Sequence, residues 1–256
     1  MGERVWAQWD DLRQAAAVIG TVLLLGVQPR HWTRPFRTLL ARQVYGAGIE
    51  PLGFVSVVAV FVGISVVVQL GFWTGRAGQS QLLGPLLVAI VAREIGPLLI
   101  NLIVIVRSGS AMIGELGVLQ LNGGVRALEA RGSDPFVHLV MPRVLGLAVS
   151  TSCLTVVFIL ATFASGYAFA AWIGKGNRDL LLFADTVSRA VQPEDVLSIL
   201  TKSILPALFA GASCCLGGLG LGGSIEDLPR AIQRALTRSV AGLFVISAVV
   251  SLLTYL

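Results

Sequence analysis

Long apolar stretches with few or no charged side chains make up most of this chain. Five of them are about as long as a helix that crosses a membrane: residues 51–75, 77–106, 144–174, 203–225 and 239–256. Only the second contains charges, Arg93 and Glu94. Because about 20 apolar residues cross the hydrocarbon core of a bilayer as a helix, the pattern predicts an all-α integral membrane protein with five transmembrane helices.

Residues 14–29 form a shorter apolar run, which follows Trp6, Trp9 and several charged residues. This composition favours an N-terminal helix that lies in the membrane interface over a sixth crossing. The run lacks the small-x-small pattern of a signal-peptide cleavage site. Further along the chain, prolines next to acidic residues mark the predicted first turns of four helices: Pro51, Pro135, Pro193 and Pro229.

Arginine is distributed unevenly among the segments that connect the apolar stretches. Thirteen arginines lie before the first span, between the second and third, and before the fifth: Arg4, Arg13, Arg30, Arg34, Arg37, Arg42, Arg107, Arg126, Arg131, Arg143, Arg230, Arg234 and Arg238. The opposite side has Arg76 in one loop, and in the other a few basic residues balanced by acids: Lys175, Arg178 and Arg189. Since cytoplasmic loops carry the excess of positive charge, the N-terminus is predicted to be cytoplasmic and the C-terminus to lie outside.

The adjacent Arg93 and Glu94 suggest a function beyond anchoring. Each charge costs about 2.5–3.5 kcal/mol at the centre of a bilayer, and neighbouring residues do not face each other on a helix. Each therefore needs a partner on another helix, in a wet cavity or on a ligand. Pro97 has no N–H to bond the carbonyl of residue 93, so we also predict a free acceptor and a kink beside the pair.

Two interpretations of the pair remain open. It forms a buried inter-helix salt bridge that only fixes packing, or it lines a polar spot in a substrate path. We favour the second, with Asn101 and Lys202 as companions, although Lys202 could instead extend to the outer interface. The glycines of the fourth span favour close helix packing over a hinge: Gly211, Gly217, Gly218, Gly220, Gly222 and Gly223.

The polar segment between spans two and three alternates apolar and charged residues. Leu116, Leu119, Val125 and Leu128 interleave with Glu115, Arg126, Glu129 and Arg131. The pattern indicates a short amphipathic helix that lies on the membrane or docks into a soluble partner, with a solvated connector as the alternative.

Composition and missing motifs exclude several function classes. The chain is 55% hydrophobic and 13% charged, against about 25% charged residues in soluble domains. It lacks both the phosphate-binding Gly-x-x-x-x-Gly-Lys-Ser/Thr loop and a His-Glu-x-x-His metal motif, and no nucleophile–base pair lies within a span. Its cysteines, Cys153, Cys214 and Cys215, are expected to be packing residues rather than a disulfide framework. We therefore expect no enzymatic activity, no bound cofactor and no nucleic acid.

A series of short segments, in order along the chain, resembles the MlaE/YrbE permease family, the membrane subunit of MCE-associated ABC transporters. The segments are Arg93-Glu94-Ile95-Gly96-Pro97, Arg107-Ser108-Gly109-Ser110-Ala111, Glu115-Leu116-Gly117, Ala127-Leu128, Asp134-Pro135, Pro142-Arg143, Lys202-Ser203, Cys215 with Gly217, and Thr237-Arg238-Ser239-Val240. The resemblance begins at about Phe36 and is most specific in the middle third.

The resemblance implies a permease of the bacterial inner membrane, with residues 1–43 as an N-terminal interfacial region and 44–256 as the permease domain. Such permeases move phospholipids or other hydrophobic molecules to or from a periplasmic MCE-domain protein. Arg93, Glu94, Pro97, Asn101 and Lys202 would line the substrate path.

The resemblance also implies partners. An ABC ATPase subunit, which binds ATP and Mg, would dock on a coupling helix at about residues 109–134, through Glu115, Leu116, Arg126 and Leu128. A second permease copy or paralogue, a small STAS-like regulatory subunit and membrane lipids are the other expected partners.

The chain departs from the family pattern at several positions. It has Gly123-Gly124 where Glu-Gln is usual, and Arg126 and Ser251 where acidic residues are common; residues 225–229 partly replace a glycine-rich stretch. These differences leave room for an altered coupling surface and for pairing with a non-identical permease.

Two other functions stay open, a membrane scaffold that recruits a periplasmic partner and a small-ion channel. A scaffold has no use for Arg93-Glu94, and a channel should carry polar rings on several spans.

Overall fold

A computed structural model describes residues 13–22, 24–25, 34–76, 86, 88–132, 134–172, 192–222 and 224–255. All regular secondary structure in these residues is helical. In chain order the helices are 13–22 (α1), Arg34–Val44 (α2), Leu52–Arg76 (α3), Val88–Leu121 (α4), Gly124–Ala130 (α5), Phe136–Trp172 (α6), Pro193–Leu219 (α7) and Leu228–Tyr255 (α8).

Five helices of the described chain are long and apolar enough to cross a membrane, which confirms the predicted number. Their membrane-compatible ranges are Phe36–Trp73, Val88–Leu121, Phe136–Trp172, Glu194–Leu219 and Ile225–Thr254. The shorter N-terminal helix α1 is also present, and its Ala15 packs with Phe209 and Ala212 of α7. The interfacial position of α1 stays a prediction.

Three helices begin next to the predicted prolines Pro135, Pro193 and Pro229, whereas Pro51 lies inside the continuous helix from Phe36 to Trp73. The helices also extend beyond the charge-free runs. α7 starts at Pro193, and the carboxylate of Asp195 accepts the backbone N–H of Gln192 at 2.9 Å as a cap. α4, however, continues past Arg107 to Leu121, and α8 begins at Leu228 instead of near residue 239. The charge-free runs are thus shorter than the helices, because a charged side chain can reach polar surroundings from within a helix.

The segment between α4 and α6 differs from the predicted amphipathic helix at about residues 109–134. It consists of the end of α4, a turn at Asn122 and Gly123, and the separate short helix α5. Gly123 has a φ of 71°, a left-handed conformation that glycine adopts without steric cost. The predicted boundary between residues 43 and 44 falls inside α2, which belongs to one continuous helix from Phe36 to Trp73; the division into two domains stays a prediction.

α7 lies at the centre of the bundle and packs against α4, α6 and α8, while α3 packs along α6. Small residues permit these contacts. A Cβ at Gly218 would lie 2.8 Å from Cβ of Leu116, and one at Gly217 would lie 2.8 Å from Cβ of Ala235. The packing role is thus confirmed for these positions, whereas an added Cβ at Gly222 meets no atom within 4 Å.

Some predictions concern residues outside the described part of the chain. The outer loop with Lys175, Arg178 and Arg189 is one such segment, and Arg4, Arg30 and Gly223 are further examples. The predicted orientation in the membrane therefore continues to rest on the sequence.

Candidate functional site

Arg93 of α4 binds the first turn of α7. Its Nη2 donates to Oδ2 of Asp195 at 3.0 Å, and its Nε lies 2.8 Å from Oδ1, an ion-pair contact without hydrogen-bond alignment. Asp195 is almost fully buried and also caps α7 through Gln192. One carboxylate thus both starts α7 and holds the arginine of α4.

Glu94 binds two other residues through a single oxygen. Its Oε1 accepts Nζ of Lys202 at 2.6 Å and the hydroxyl of Ser251 at 3.0 Å. The Lys202 side chain is 1% exposed, whereas that of Glu94 is 48% exposed. Lys202 therefore points into the bundle, and the alternative that it extends to the outer interface is wrong.

Pro97 of α4 and Pro206 of α7 each leave one backbone carbonyl without its helical hydrogen bond. A side chain of the other helix donates to each of these carbonyls. Pro97 cannot bond the carbonyl of Arg93, and Nζ of Lys202 donates to that oxygen at 2.9 Å. Pro206 leaves the carbonyl of Lys202 free in the same way, and Nδ2 of Asn101 donates to it at 3.1 Å. The predicted free acceptor beside Pro97 is confirmed, and its donor comes from α7.

The same amide of Asn101 also donates to the carbonyl of Pro97 at 2.8 Å. Asn101 is buried, and its bond to the carbonyl of Lys202 offsets the cost of that polar group in an apolar interior, while its own Oδ1 is buried without a hydrogen-bond partner in the described residues. Pro97, Asn101 and Lys202 therefore form one connected network with the charged pair.

The charged cluster of Arg93, Glu94, Asp195 and Lys202 has two positive and two negative charges. It lies near the end of the bundle where α7 begins and α8 ends, because Asp195 is in the first turn of α7 and Ser251 in the last turns of α8. We expected the pair at mid-membrane. α4 extends to Leu121, and residues 93 and 94 occupy an early turn of its described range; their depth in the membrane stays a prediction.

An apolar groove of about 560 Å³ between α7 and α8 adjoins this cluster. Its lining includes Leu197, Ser198 and Thr201 of α7 and Val249, Val250 and Leu253 of α8. Ser198 follows Asp195 by one turn, and Val250 precedes Ser251, so the groove lies beside the cluster along α7 and α8, although no residue of the cluster lines it. The hydroxyl of Ser198 is buried without a hydrogen-bond partner in the described chain.

The residues expected to couple to an ATPase lie toward the opposite end of α4 and on α5. Glu115 forms an ion pair with Arg143 of α6 at 3.2 Å. Arg126 is exposed and Leu128 is half-buried on α5. Leu116 is fully buried against α7, so its side chain supports α4 from inside and is not accessible to a partner in this conformation.

Sequence reasoning missed Asp195 and Ser251 as partners of the pair. In the sequence, Asp195 is recognisable only as an acidic residue near the start of a helix. A count of charges could have indicated Asp195. Arg93 and Lys202 are two cations near the spans and Glu94 is one anion, so a neutral cluster requires a second acid.

Comparison with known proteins places this architecture in a family. The family model for permease MlaE matches residues 40–253. Protein TRIGALACTOSYLDIACYLGLYCEROL 1, chloroplastic, of Arabidopsis thaliana is 28% identical over 225 residues, which cover 86% of this chain and 61% of that protein. This chain thus spans less than two thirds of the plant protein.

Two bacterial relatives have names that specify a transporter class. A probable ABC transporter permease protein of Rickettsia prowazekii is 24% identical over 80% of this chain and 78% of its own length. One from Synechocystis is 25% identical over 79% of this chain and 76% of its own length. With five apolar helices and a family match over most of its length, this chain belongs to the MlaE permease family.

Proposed function

We propose that this chain is the membrane-spanning permease subunit of an ATP-driven transporter in the bacterial inner membrane. It moves phospholipids or other hydrophobic molecules between that membrane and a periplasmic MCE-domain protein. The observation that carries the proposal is the neutral charged cluster at the end of the apolar α7/α8 groove. Family membership and the name of the Arabidopsis relative, which contains that of a glycerolipid, support it.

The arrangement of the site suits an amphipathic substrate. Acyl chains are accommodated by the apolar lining of the groove, which is formed by residues such as Leu197, Val249 and Leu253. A headgroup with both positive and negative charge matches a cluster that offers both. Glu94 is the accessible member, since it is half-exposed and its second carboxylate oxygen has no hydrogen-bond partner among the described residues.

The force for transport arrives from a separate ATPase subunit, which carries ATP and Mg. α5 is the docking element in this proposal because it projects Arg126 from a short helix outside the membrane bundle and carries Leu128 as an apolar anchor. A second permease copy or paralogue completes the membrane part, and a small STAS-like subunit is a further expected partner.

Reconstitution tests the proposal. The chain is purified with its associated subunits, incorporated into liposomes with a fluorescent phospholipid, and mixed with acceptor liposomes. We expect lipid transfer that requires ATP. If the lipid distribution stays unchanged while the MCE protein is stably recruited, the chain is a scaffold. If ions flow without lipid transfer, it is a channel. Either result overturns the proposal.

A further inference from the structure

A second cavity, of about 410 Å³, lies at the opposite end of α4 from the charged cluster. It is lined by α2, the π-helical segment Tyr45–Ile49, the second half of α4 and the start of α6. Its charged and hydroxyl-bearing lining residues are Arg42, Tyr45, Glu50, Arg107, Ser108, Glu115 and Arg143. We call it the basic cavity, because three arginines face two glutamates.

The arginines of the basic cavity are incompletely neutralised. Arg143 pairs with Glu115 at 3.2 Å, while Arg107 and Glu50 are 3.5 Å apart and both are about half exposed. Arg42 is exposed and has no ion-pair partner in the described residues. The lining therefore carries one positive charge in excess.

Arg143, which lines the cavity, has one donor that no described residue accepts. Its Nη1 donates to the carbonyl of Leu139 at 2.9 Å and its Nη2 to Glu115, but its Nε is buried without an acceptor in the described chain. A buried N–H without an acceptor is costly. Because guanidinium groups match the oxygens of phosphate geometrically, a phosphate bound in the cavity would neutralise the excess positive charge of its arginines.

The surroundings of the cavity indicate a lipid as the source of the phosphate. Tyr45 lines the cavity and is exposed. Ile49, Leu52 and Phe54 continue as exposed apolar residues toward the first membrane helix. A phosphate at the cavity thus lies beside a surface suited to acyl chains, and the arginine distribution assigns this end to the cytoplasmic leaflet, where anionic lipids attract basic residues.

We propose that the basic cavity binds the phosphate of an anionic phospholipid headgroup in the cytoplasmic leaflet. The site is separate from the α7/α8 groove and does not depend on the proposed transport path. Its ligand is a bound lipid that ties α2 to α4 and α6, rather than cargo.

Lipid titration followed by native mass spectrometry tests this proposal on the full chain with its associated subunits. Phosphatidylglycerol and phosphatidylcholine with identical acyl chains serve as probes. The test variants are Arg42→Gln, which removes an exposed side chain without described contacts, and Arg42→Gln combined with Arg143→Gln. The matched control is Arg230→Gln with Arg234→Gln, which removes two charges from α8 outside the cavity.

We expect the double cavity variant to bind phosphatidylglycerol roughly tenfold more weakly, Arg42→Gln alone to show a smaller loss, and the control to change by less than about twofold. An equal loss in the control, or no preference for phosphatidylglycerol in the wild type, overturns the proposal. Cavity variants that lose the ATPase subunit but bind lipid as before also overturn the proposal. The cavity would then accept an acidic side chain of the ATPase subunit. Inorganic phosphate should not stabilise the wild type as phosphatidylglycerol does; equal stabilisation indicates a soluble anion and contradicts a lipid site.

Discussion

At the scale of single residues, Pro97 and Pro206 each remove one hydrogen bond from their own helix. The two helices then compensate each other: Lys202 of α7 donates to the carbonyl of Arg93 in α4, and Asn101 of α4 donates to the carbonyl of Lys202 in α7. Lys202 is both donor and acceptor in this exchange and also pairs with Glu94. The charged cluster is thus fixed by backbone bonds as well as by ion pairs.

This exchange predicts a dependence between Asn101 and Pro206. Asn101→Ala should lower stability by about 1–2 kcal/mol, because it leaves a buried carbonyl without a donor. In a Pro206→Ala background the same change should cost less, since residue 206 then donates its own N–H to Lys202. Thermal unfolding in detergent of the four proteins of this double-mutant cycle measures the difference.

Asn122→Ala is the control for this cycle, because Asn122 is exposed in the turn after α4. Equal costs of Asn101→Ala in both backgrounds would show that the amide does not replace the bond that Pro206 removes.

The sequence predicted part of this residue network. The missing N–H of Pro97 is a local property, so the free acceptor beside it could be foreseen. The identity of the partners could not, because Lys202 and Asp195 are more than 100 positions away in the chain and reach Arg93 and Glu94 only after α7 packs on α4.

At the scale of helices, glycines set the distance between neighbours. Gly63 of α3 faces the backbone of α6, where an added Cβ would overlap the carbonyl oxygen of Thr162, and Gly166 of α6 faces Val67 in return. Helix starts were predictable because proline acts locally. Helix ends were not, because the continuation of α4 past Arg107 depends on burial of Met112, Ile113 and Leu116 against the rest of the bundle.

The contact between α3 and α6 predicts opposite effects for two glycines of one helix. Gly63→Ala should lower stability by about 1–3 kcal/mol, since the methyl group has no space. Gly71→Ala, on the same helix but with no atom near the added Cβ, should be neutral or stabilise by up to about 1 kcal/mol. Thermal unfolding of both variants checks this, and a Gly63→Ala protein as stable as Gly71→Ala would contradict the close approach of the helices.

At the scale of the whole molecule, the charged cluster and the basic cavity occupy opposite ends of α4, with α5 outside the bundle near the second. This separation suits a permease whose substrate contacts and ATPase contacts are on different sides of the membrane. The arginine distribution in the sequence predicts that the basic end faces the cytoplasm.

Docking of the ATPase on α5 predicts the effect of one substitution. Leu128→Asp should introduce an unpaired charge into that contact at a cost of about 2–5 kcal/mol, so the ATPase subunit should be lost during purification while the permease stays folded. Ile225→Asp, an exposed apolar residue before α8, is the control and should retain the ATPase. Full retention by Leu128→Asp would move the docking surface elsewhere, first to residues 30–42.

Orientation is open to a direct chemical test. Cysteines introduced at Gly132, in the turn after α5, and at Asn177, which lies outside the described residues, should react with impermeant thiol reagents from opposite sides, Asn177 from outside. Reaction of both positions from one side would contradict the five-span arrangement.

The central claim is that the charged cluster contacts the transported lipid and does more than hold α4 to α7. The most direct measurement is ATP-dependent phospholipid transfer by complexes that carry Glu94→Gln with Lys202→Met, which removes one ion pair without leaving an unpaired buried charge. Ser251→Ala is the matched control, because it removes one hydrogen bond to the same oxygen of Glu94. The account predicts that the double variant assembles with its partners and loses about 1–2 kcal/mol of stability, because the carbonyl of Arg93 loses its Lys202 donor. It also predicts lipid transfer at least about tenfold slower, with Ser251→Ala near wild type. An assembled double variant that transfers lipid at the wild-type rate would contradict the account and leave the cluster with a packing role alone.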